Sequence, residues 1–250
     1  MKTPESAQSE GNMATTAHLG TAGRASQRRI GPPYDRTRYI LFHWEDNADG
    51  TYFRSELEKL QAVFEHFGFR GALYGISTRG SKDATDEVRQ QLSAFQKGWG
   101  DDNELLIVVY GGHGEYVLAP NRLHWRSAEP YFVDWNKLQE IIFRSNKDVL
   151  VLLDCCYAGA AELSTSTARK DNIAACAYNG ETPERVVTPT ASPLSFTKLA
   201  TQAFGSFGAP FTVHALLVKI RGYSPNKDPV YWSKRTTLPM KSRCWSQPQG

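Results

Sequence analysis

Two short polar turns carry the residues best suited to chemistry in this chain of 250 residues. They are residues 111–114 (Gly-Gly-His-Gly) and 154–156 (Asp-Cys-Cys), and each directly follows a continuous apolar run. A cysteine thiol and a histidine imidazole can act together as nucleophile and general base. The sequence therefore indicates thiol chemistry between His113 and the cysteine turn.

The elements that lead into these turns are predicted to be neighbouring parallel strands. Residues 105–110 and 149–153 are apolar throughout, which is typical of strands covered on both faces of a sheet. The segment between the two turns is long enough for one strand–helix–strand crossover, which places both carboxyl ends at one edge of the sheet. Because ligands bind at that edge, we expect His113 and Cys156 to meet there.

The glycines around His113 favour binding of an extended substrate, since they carry no bulky side chains. The backbone amides of Gly114 and Cys156, just after the two strand ends, are predicted to form an oxyanion hole. An imidazole beside the thiol would stabilise the thiolate, which is the reactive form. A lone cysteine is usually a small buried apolar residue, so it is the pairing of the two turns that favours catalysis.

Strand and helix patterns alternate along the rest of the chain and predict a three-layer α/β sandwich with a mostly parallel central sheet. The other predicted strands are 39–43, 69–76 and 172–178, and the predicted helices are 52–67, 86–99, one N-capped by Asp134, 194–207 and 211–221. Small polar residues dominate positions 1–33, which predicts a flexible leader. We expect a folded domain over 34–222 and a tail of undetermined structure over 223–250.

The composition argues against several classes of protein. The net charge is only +3 and the basic residues are scattered, so no nucleic-acid partner is expected. No apolar run approaches the roughly 18 residues of a membrane span. Four cysteines, two of them adjacent, do not form a disulfide framework, which favours a reducing, cytoplasmic location. No CxxC or HExxH pattern is present, so no metal or cofactor is expected.

The two turns and their surroundings resemble the caspase–metacaspase superfamily, most closely the caspase-like peptidase domains of filamentous fungi. Residues 110–114 (Tyr-Gly-Gly-His-Gly) are similar to the family's Tyr-Ser-Gly-His-Gly. Residues 154–159 (Asp-Cys-Cys-Tyr-Ala-Gly) are similar to its Asp-Ser-Cys-His-Ser-Gly. The resemblance spans about residues 39–222, and it makes Cys156 the nucleophile and Cys155 the counterpart of the family's serine.

This resemblance implies a caspase-like fold and a cysteine endopeptidase that acts on a polypeptide substrate through a Cys156–His113 dyad. In metacaspases the aspartate two residues before the nucleophile lies in the S1 pocket and favours Arg or Lys at P1, and Asp154 occupies that position. The alternative for Asp154 is a structural carboxylate bonded to backbone amides. Gly111 replaces a serine that contacts S1 in many relatives. Residues 115–120 lack the aspartate cluster of calcium-dependent metacaspases, so that calcium site is not expected.

The segment 160–171 follows the nucleophile strand, where relatives are cut into a large and a small part. Its small, polar and charged residues predict an exposed loop, and it contains the basic pair Arg169-Lys170. We therefore predict self-processing after Arg169 or Lys170. The same residues also fit two other classes, a catalytically silent caspase-like scaffold and another thiol enzyme such as an acyltransferase, and they leave the oligomeric state open.

Overall fold

Strands and helices alternate through the computed structural model of the chain, as the sequence pattern predicts. The structure describes residues 34–45, 48–97, 103–118, 121–127, 130–145, 147–161, 170–175, 195–208, 211–223 and 229–234. The strands are β1 (Arg36–Trp44), β2 (Arg70–Ile76), β3 (Glu104–Gly111), β4 (His113–Val117), β5 (Arg122–Arg126), β6 (Phe132–Asp134), β7 (Asp148–Asp154), β8 (Lys170–Ala174) and β9 (Val230–Lys234). The helices are α1 (Ala48–His66), α2 (Thr85–Lys97), α3 (Trp135–Arg144), α4 (Phe196–Gly205) and α5 (Val213–Tyr223). None of the described helices is long and apolar enough to cross a membrane.

Six of the described strands form one sheet in the order β2-β1-β3-β7-β8-β9. The first five are parallel, and β9 pairs antiparallel with β8. β3 and β7 are neighbours, with Tyr110 opposite Leu153 and Gly111 opposite Asp154. The predicted mostly parallel sheet is confirmed, and the histidine and cysteine turns leave it side by side at its carboxyl edge.

Helices cover both faces of this sheet and complete the three predicted layers. All of β3 is buried, and its side chains alternate between two cores. Ile107 and Val109 pack with α1, α4 and α5, whereas Leu106 and Val108 pack with α2 and α3. Burial of each such side chain contributes about 1.5–3 kcal/mol, so the apolar run itself places β3 at the centre of the sheet. Asp134 caps α3 as predicted, by accepting a hydrogen bond from the amide of Asn136 at 3.0 Å.

Three further described strands form a second, antiparallel sheet in the order β4-β5-β6, which the sequence analysis did not predict. β4 begins at His113 itself, so the chain leaves the main sheet at Gly112 and enters a hairpin. The available signal was the alternation in β5, where Leu123 and Trp125 are fully buried and the residues between and beside them are partly exposed.

The exposed loop predicted over 160–171 is wrong at its carboxyl end. Lys170 and Asp171 lie in β8 and are only 0% and 3% exposed. The Lys170 Nζ donates hydrogen bonds to the carbonyl oxygens of Ser145 and Lys147, just after α3, and these bonds let the long side chain remain buried. Cleavage after Lys170 would require more of β8 to leave the sheet than cleavage after Arg169, which lies outside the described residues, so Arg169 is preferred of the two predicted sites.

The sheet also extends beyond residue 222, where the domain was predicted to end. α5 continues to Tyr223, and β9 adds a strand in which Tyr231 lies opposite Ile173. The Tyr231 hydroxyl donates a hydrogen bond to Asp171 Oδ1 at 2.9 Å. The folded unit therefore includes part of the predicted tail, because β9 from that segment pairs with β8. The predicted leader over 1–33 lies outside the described residues.

Candidate active site

The histidine and cysteine turns contact each other through their backbones. The amide of Gly112 donates a hydrogen bond to the carbonyl oxygen of Asp154 at 3.1 Å. A Cβ atom placed on Gly114 would lie 2.1 Å from the carbonyl oxygen of Cys156 and 3.1 Å from the Cys155 Sγ atom. Both neighbours of His113 therefore touch the cysteine turn.

The two adjacent cysteines have different surroundings. Cys155 is 1% exposed and belongs to the core that lies between the sheet and helices α2 and α3. Cys156 is only partly buried. Side chains that leave a strand point in alternate directions, which explains the difference. A nucleophile must be reached by its substrate, so the geometry favours Cys156 over Cys155.

The chain bends sharply directly after Cys156. Tyr157 has a φ of 55° and a ψ of 17°, in the left-handed region, and a three-residue 3₁₀ turn follows over Ala158–Ala160. This conformation costs a residue with a side chain about 1–3 kcal/mol, and such residues cluster at functional sites. Cys156 therefore lies just after the end of β7 at Asp154 and just before the buried 3₁₀ turn.

Tyr110 holds the backbone of His113 in place, a role that the sequence analysis did not assign. Its hydroxyl donates a hydrogen bond to the carbonyl oxygen of His113 at 2.8 Å and lies 3.3 Å from that of Arg126. His113 and Arg126 are paired residues at the start of the β4–β5 hairpin. The Tyr110 ring stacks on Trp125 with 4.2 Å between centroids. Burial raises the pKa of Tyr110 well above its ordinary value, so the hydroxyl keeps the proton that it donates.

Gly112, directly before His113, makes room for this arrangement. A Cβ atom on Gly112 would lie 2.3 Å from the Tyr110 hydroxyl oxygen. A Cβ atom on Gly111 would make only an ordinary contact, 3.6 Å from Phe53 of α1. The Phe53 ring also packs edge-on against the His113 imidazole, with 5.9 Å between centroids. The imidazole is thus positioned by Phe53 on one side and by its own anchored backbone on the other.

Asp154 is tied to the beginning of α4. It is 5% exposed, and its Oδ2 atom accepts a hydrogen bond from the amide of Thr197 at 2.8 Å. A carboxylate is stabilised near a helix amino terminus because the first amides there lack helical partners. The hydrogen bond from Thr197 is the kind of contact expected if Asp154 is a structural carboxylate bonded to backbone amides. Its role towards a substrate stays a prediction.

The architecture is that of solved caspase structures. The crystal structure of the Drosophila initiator caspase Dronc matches with a TM-score of 0.59 at 12% identity, over 97% of this chain and 96% of that chain. The crystal structure of caspase-1 from Spodoptera frugiperda matches with a TM-score of 0.59 at 13% identity, over 89% of this chain and 94% of that chain. No family model and no curated protein sequence matches the chain. The predicted caspase-like fold is confirmed.

Proposed function

We propose that this protein is a cysteine endopeptidase of the caspase–metacaspase type that uses Cys156 and His113. The observation that carries the proposal is the packing of Gly114 against Cys156, which brings the histidine strand to an accessible thiol. The caspase-like fold supports it. The buried state of Cys155 leaves Cys156 as the nucleophile within this turn.

The proposed reaction is an acyl transfer in two steps. His113 accepts the thiol proton of Cys156, and the sulfur attacks the carbonyl carbon of the scissile peptide bond. The tetrahedral oxyanion accepts hydrogen bonds from the amides of Gly114 and Cys156. The C–N bond then breaks, and His113 gives its proton to the leaving amine. In the second step His113 accepts a proton from water, the resulting hydroxide attacks the thioester, and the proton returns to the departing sulfur.

The proposed specificity is for Arg or Lys at P1. Asp154 supplies the negative charge that such a side chain needs, and its bond to Thr197 holds the carboxylate in a fixed orientation. A desolvated charge pair of this kind contributes more than the same pair in water. The substrate is a polypeptide, and we place the enzyme in the cytoplasm, where a reduced Cys156 stays reactive.

The test is hydrolysis of fluorogenic peptides with Arg, Lys or Asp at P1, with and without calcium, beside labelling by a peptide electrophile. Cys156→Ala should abolish both hydrolysis and labelling. Cys155→Ser is the matched control, because it changes the neighbouring thiol and introduces the residue of the family motif. It should retain most of the activity, after correction for any loss of folded protein measured by thermal unfolding. Full activity in Cys156→Ala would overturn the assignment, and a folded protein that neither hydrolyses nor reacts would favour the scaffold.

A further inference from the structure

A polar cleft opens at the carboxyl edge of the sheet, beside the candidate active site. It measures about 410 Å³, and its lining residues are His43, Glu45, Arg54, Leu73, Gly75, Thr78 and Arg79. These residues include two guanidinium groups and one carboxylate. Arg54 donates a hydrogen bond from its Nε atom to Glu58 at 2.8 Å, so its charge is already paired. Arg79 forms no ion pair within the described part of the chain and is the unpaired cation of the cleft.

His43 gives the cleft a neutral polar wall. The residue is 4% exposed, and its Nδ1 atom lies 2.9 Å from the carbonyl oxygen of Trp44. Because a carbonyl oxygen only accepts hydrogen bonds, Nδ1 carries the proton. Burial is the main cause that lowers the pKa of His43, so the imidazole is neutral at pH 7. Arg79 is then the cation of the cleft that is available to a ligand.

The cleft is continuous with the position of the catalytic histidine. On α1, Phe53 packs against the His113 ring, and the next residue, Arg54, lines the cleft. In the sheet, β1 lies beside β3, so His43 at the end of β1 is a neighbour of Gly111 at the end of β3. Arg54, which lines the cleft, thus directly follows a residue that contacts the His113 ring.

The histidine marks the direction in which the leaving half of a substrate runs. A general acid must be within hydrogen-bond reach of the leaving amine, so this amine lies on the His113 side of Cys156. The sheet order from the nucleophile in that direction is β7, β3, β1 and β2. Residues after the scissile bond therefore run towards the strands whose ends form the cleft.

We infer that this cleft binds an acidic side chain of the substrate, Asp or Glu, located carboxyl-terminal to the scissile bond. The inference rests on the proposed function. Neighbouring strands are about 4.8 Å apart, which puts β1 roughly 10 Å from β7. An extended chain spans about 3.3–3.6 Å per residue, so the third residue after the cut reaches the cleft. The planar fork of Arg79 suits a carboxylate, and Glu45 limits the site to one such group.

The experiment uses peptides with Arg at P1 and a single Glu at the second, third or fourth position after the cut, each matched to a Gln peptide. Hydrolysis is measured with the unmodified protein, and binding is measured by fluorescence anisotropy with Cys156→Ala. Glu at the third position should raise both kcat/KM and affinity about tenfold over Gln, the effect of one charge-assisted bond. Arg79→Glu should remove this preference, and Glu45→Gln should strengthen it. Arg144→Glu makes the same charge change at an exposed side chain of α3 and should leave the preference as it is.

The outcomes distinguish failure of the inference about the cleft from failure of the proposed peptidase function. A fluorogenic amide with no residues after the cut reports hydrolysis independently of the cleft. Hydrolysis without any Glu preference would overturn the inference and leave the proposed function standing. Binding that prefers Glu and depends on Arg79, in a protein that hydrolyses nothing, would support the cleft and overturn the proposed function. Absence of both would overturn both.

Discussion

The carbonyl oxygen of Cys156 fills the space that a side chain on residue 114 would need. The distance from that oxygen to a Cβ atom on Gly114 would be 2.1 Å, and real Cβ atoms essentially never approach a neighbour within 3.0 Å. Since the opposing atom belongs to the backbone, one of the two turns has to move to relieve the clash. The spacing of His113 and Cys156 therefore depends on the absence of a side chain at Gly114.

Gly114→Ala should reduce hydrolysis much more than it reduces stability. A shift of about 1 Å between nucleophile and base lowers the rate on the order of 100-fold, whereas overpacking costs about 1–3 kcal/mol of unfolding free energy. The measurements are kcat/KM and urea unfolding. Gly222→Ala is the matched control, because its Cβ atom would meet nothing within 4 Å, and it should keep full activity. Unchanged kcat/KM in Gly114→Ala would contradict the proposed spacing.

Tyr110→Phe should lower kcat with little change in KM. The substitution removes the hydroxyl that binds the carbonyl oxygen of His113, and a buried acceptor without its donor costs about 1–3 kcal/mol. Because the histidine strand is then less firmly held, the pH dependence of kcat should change as well. Tyr39→Phe is the control, since it removes a hydroxyl bonded to Glu65 at 3.1 Å on the opposite face of the sheet. Equal losses of activity in both variants would reduce the role of Tyr110 to general stability.

Asp154→Asn distinguishes the two roles considered for this carboxylate. The amide side chain keeps an oxygen that can accept the hydrogen bond from Thr197, so the fold should be preserved. If Asp154 pairs with the P1 side chain, peptides with Arg at P1 should lose about tenfold or more in kcat/KM, given charge-assisted bonding. Peptides with Gln at P1 are the internal control. An unchanged preference for Arg over Gln would assign Asp154 to the capping of α4 alone.

The sequence predicted the parts of the fold that depend on long apolar patterns. The apolar runs 105–110 and 149–153 predicted buried strands, and their order along the chain placed both turns at one edge. The β4–β5 hairpin was missed because its alternation is short and begins directly at His113. Lys170 was assigned to a loop because charge predicts exposure, and the carbonyl oxygens that hold it come from a different part of the chain. The contact of Gly114 with Cys156 likewise depends on a register that no local pattern contains.

Self-processing is predicted after Arg169 in preference to Lys170, because a cut there has to release only the buried first residue of β8 from the sheet. Mass mapping of the purified protein should find a break between Arg169 and Lys170 that is absent from Cys156→Ala. Arg169→Gln should also remove it and leave peptide hydrolysis in place. After such a cut Lys170 would be the first residue of the small fragment and would stay attached through Ser145 and Lys147. An intact chain that hydrolyses peptides would show that processing is not needed.

The buried ammonium of Lys170 should make the protein more stable as the pH rises above about 8. Burial lowers the pKa of Lys170 from 10.5 to about 8 in the folded protein. Between these values the unfolded chain binds more protons than the folded one, so the free energy of unfolding increases with pH. Each pKa unit corresponds to 1.36 kcal/mol, which gives a rise of about 2 kcal/mol between pH 8 and 9.5.

Urea unfolding at pH 7 to 9.5 measures this rise, and Lys170→Met should lack it. The upper limit of pH 9.5 keeps the contribution of Tyr39 and Tyr74 small, because their pKa values are raised to about 12 when folded and lie at 10.0 when unfolded. Lys219→Met, a change at a lysine that is only partly buried, should retain the rise of the unmodified protein. Equal pH profiles in the unmodified protein and in Lys170→Met would mean that the carbonyl oxygens of Ser145 and Lys147 offset the cost of burying the charge.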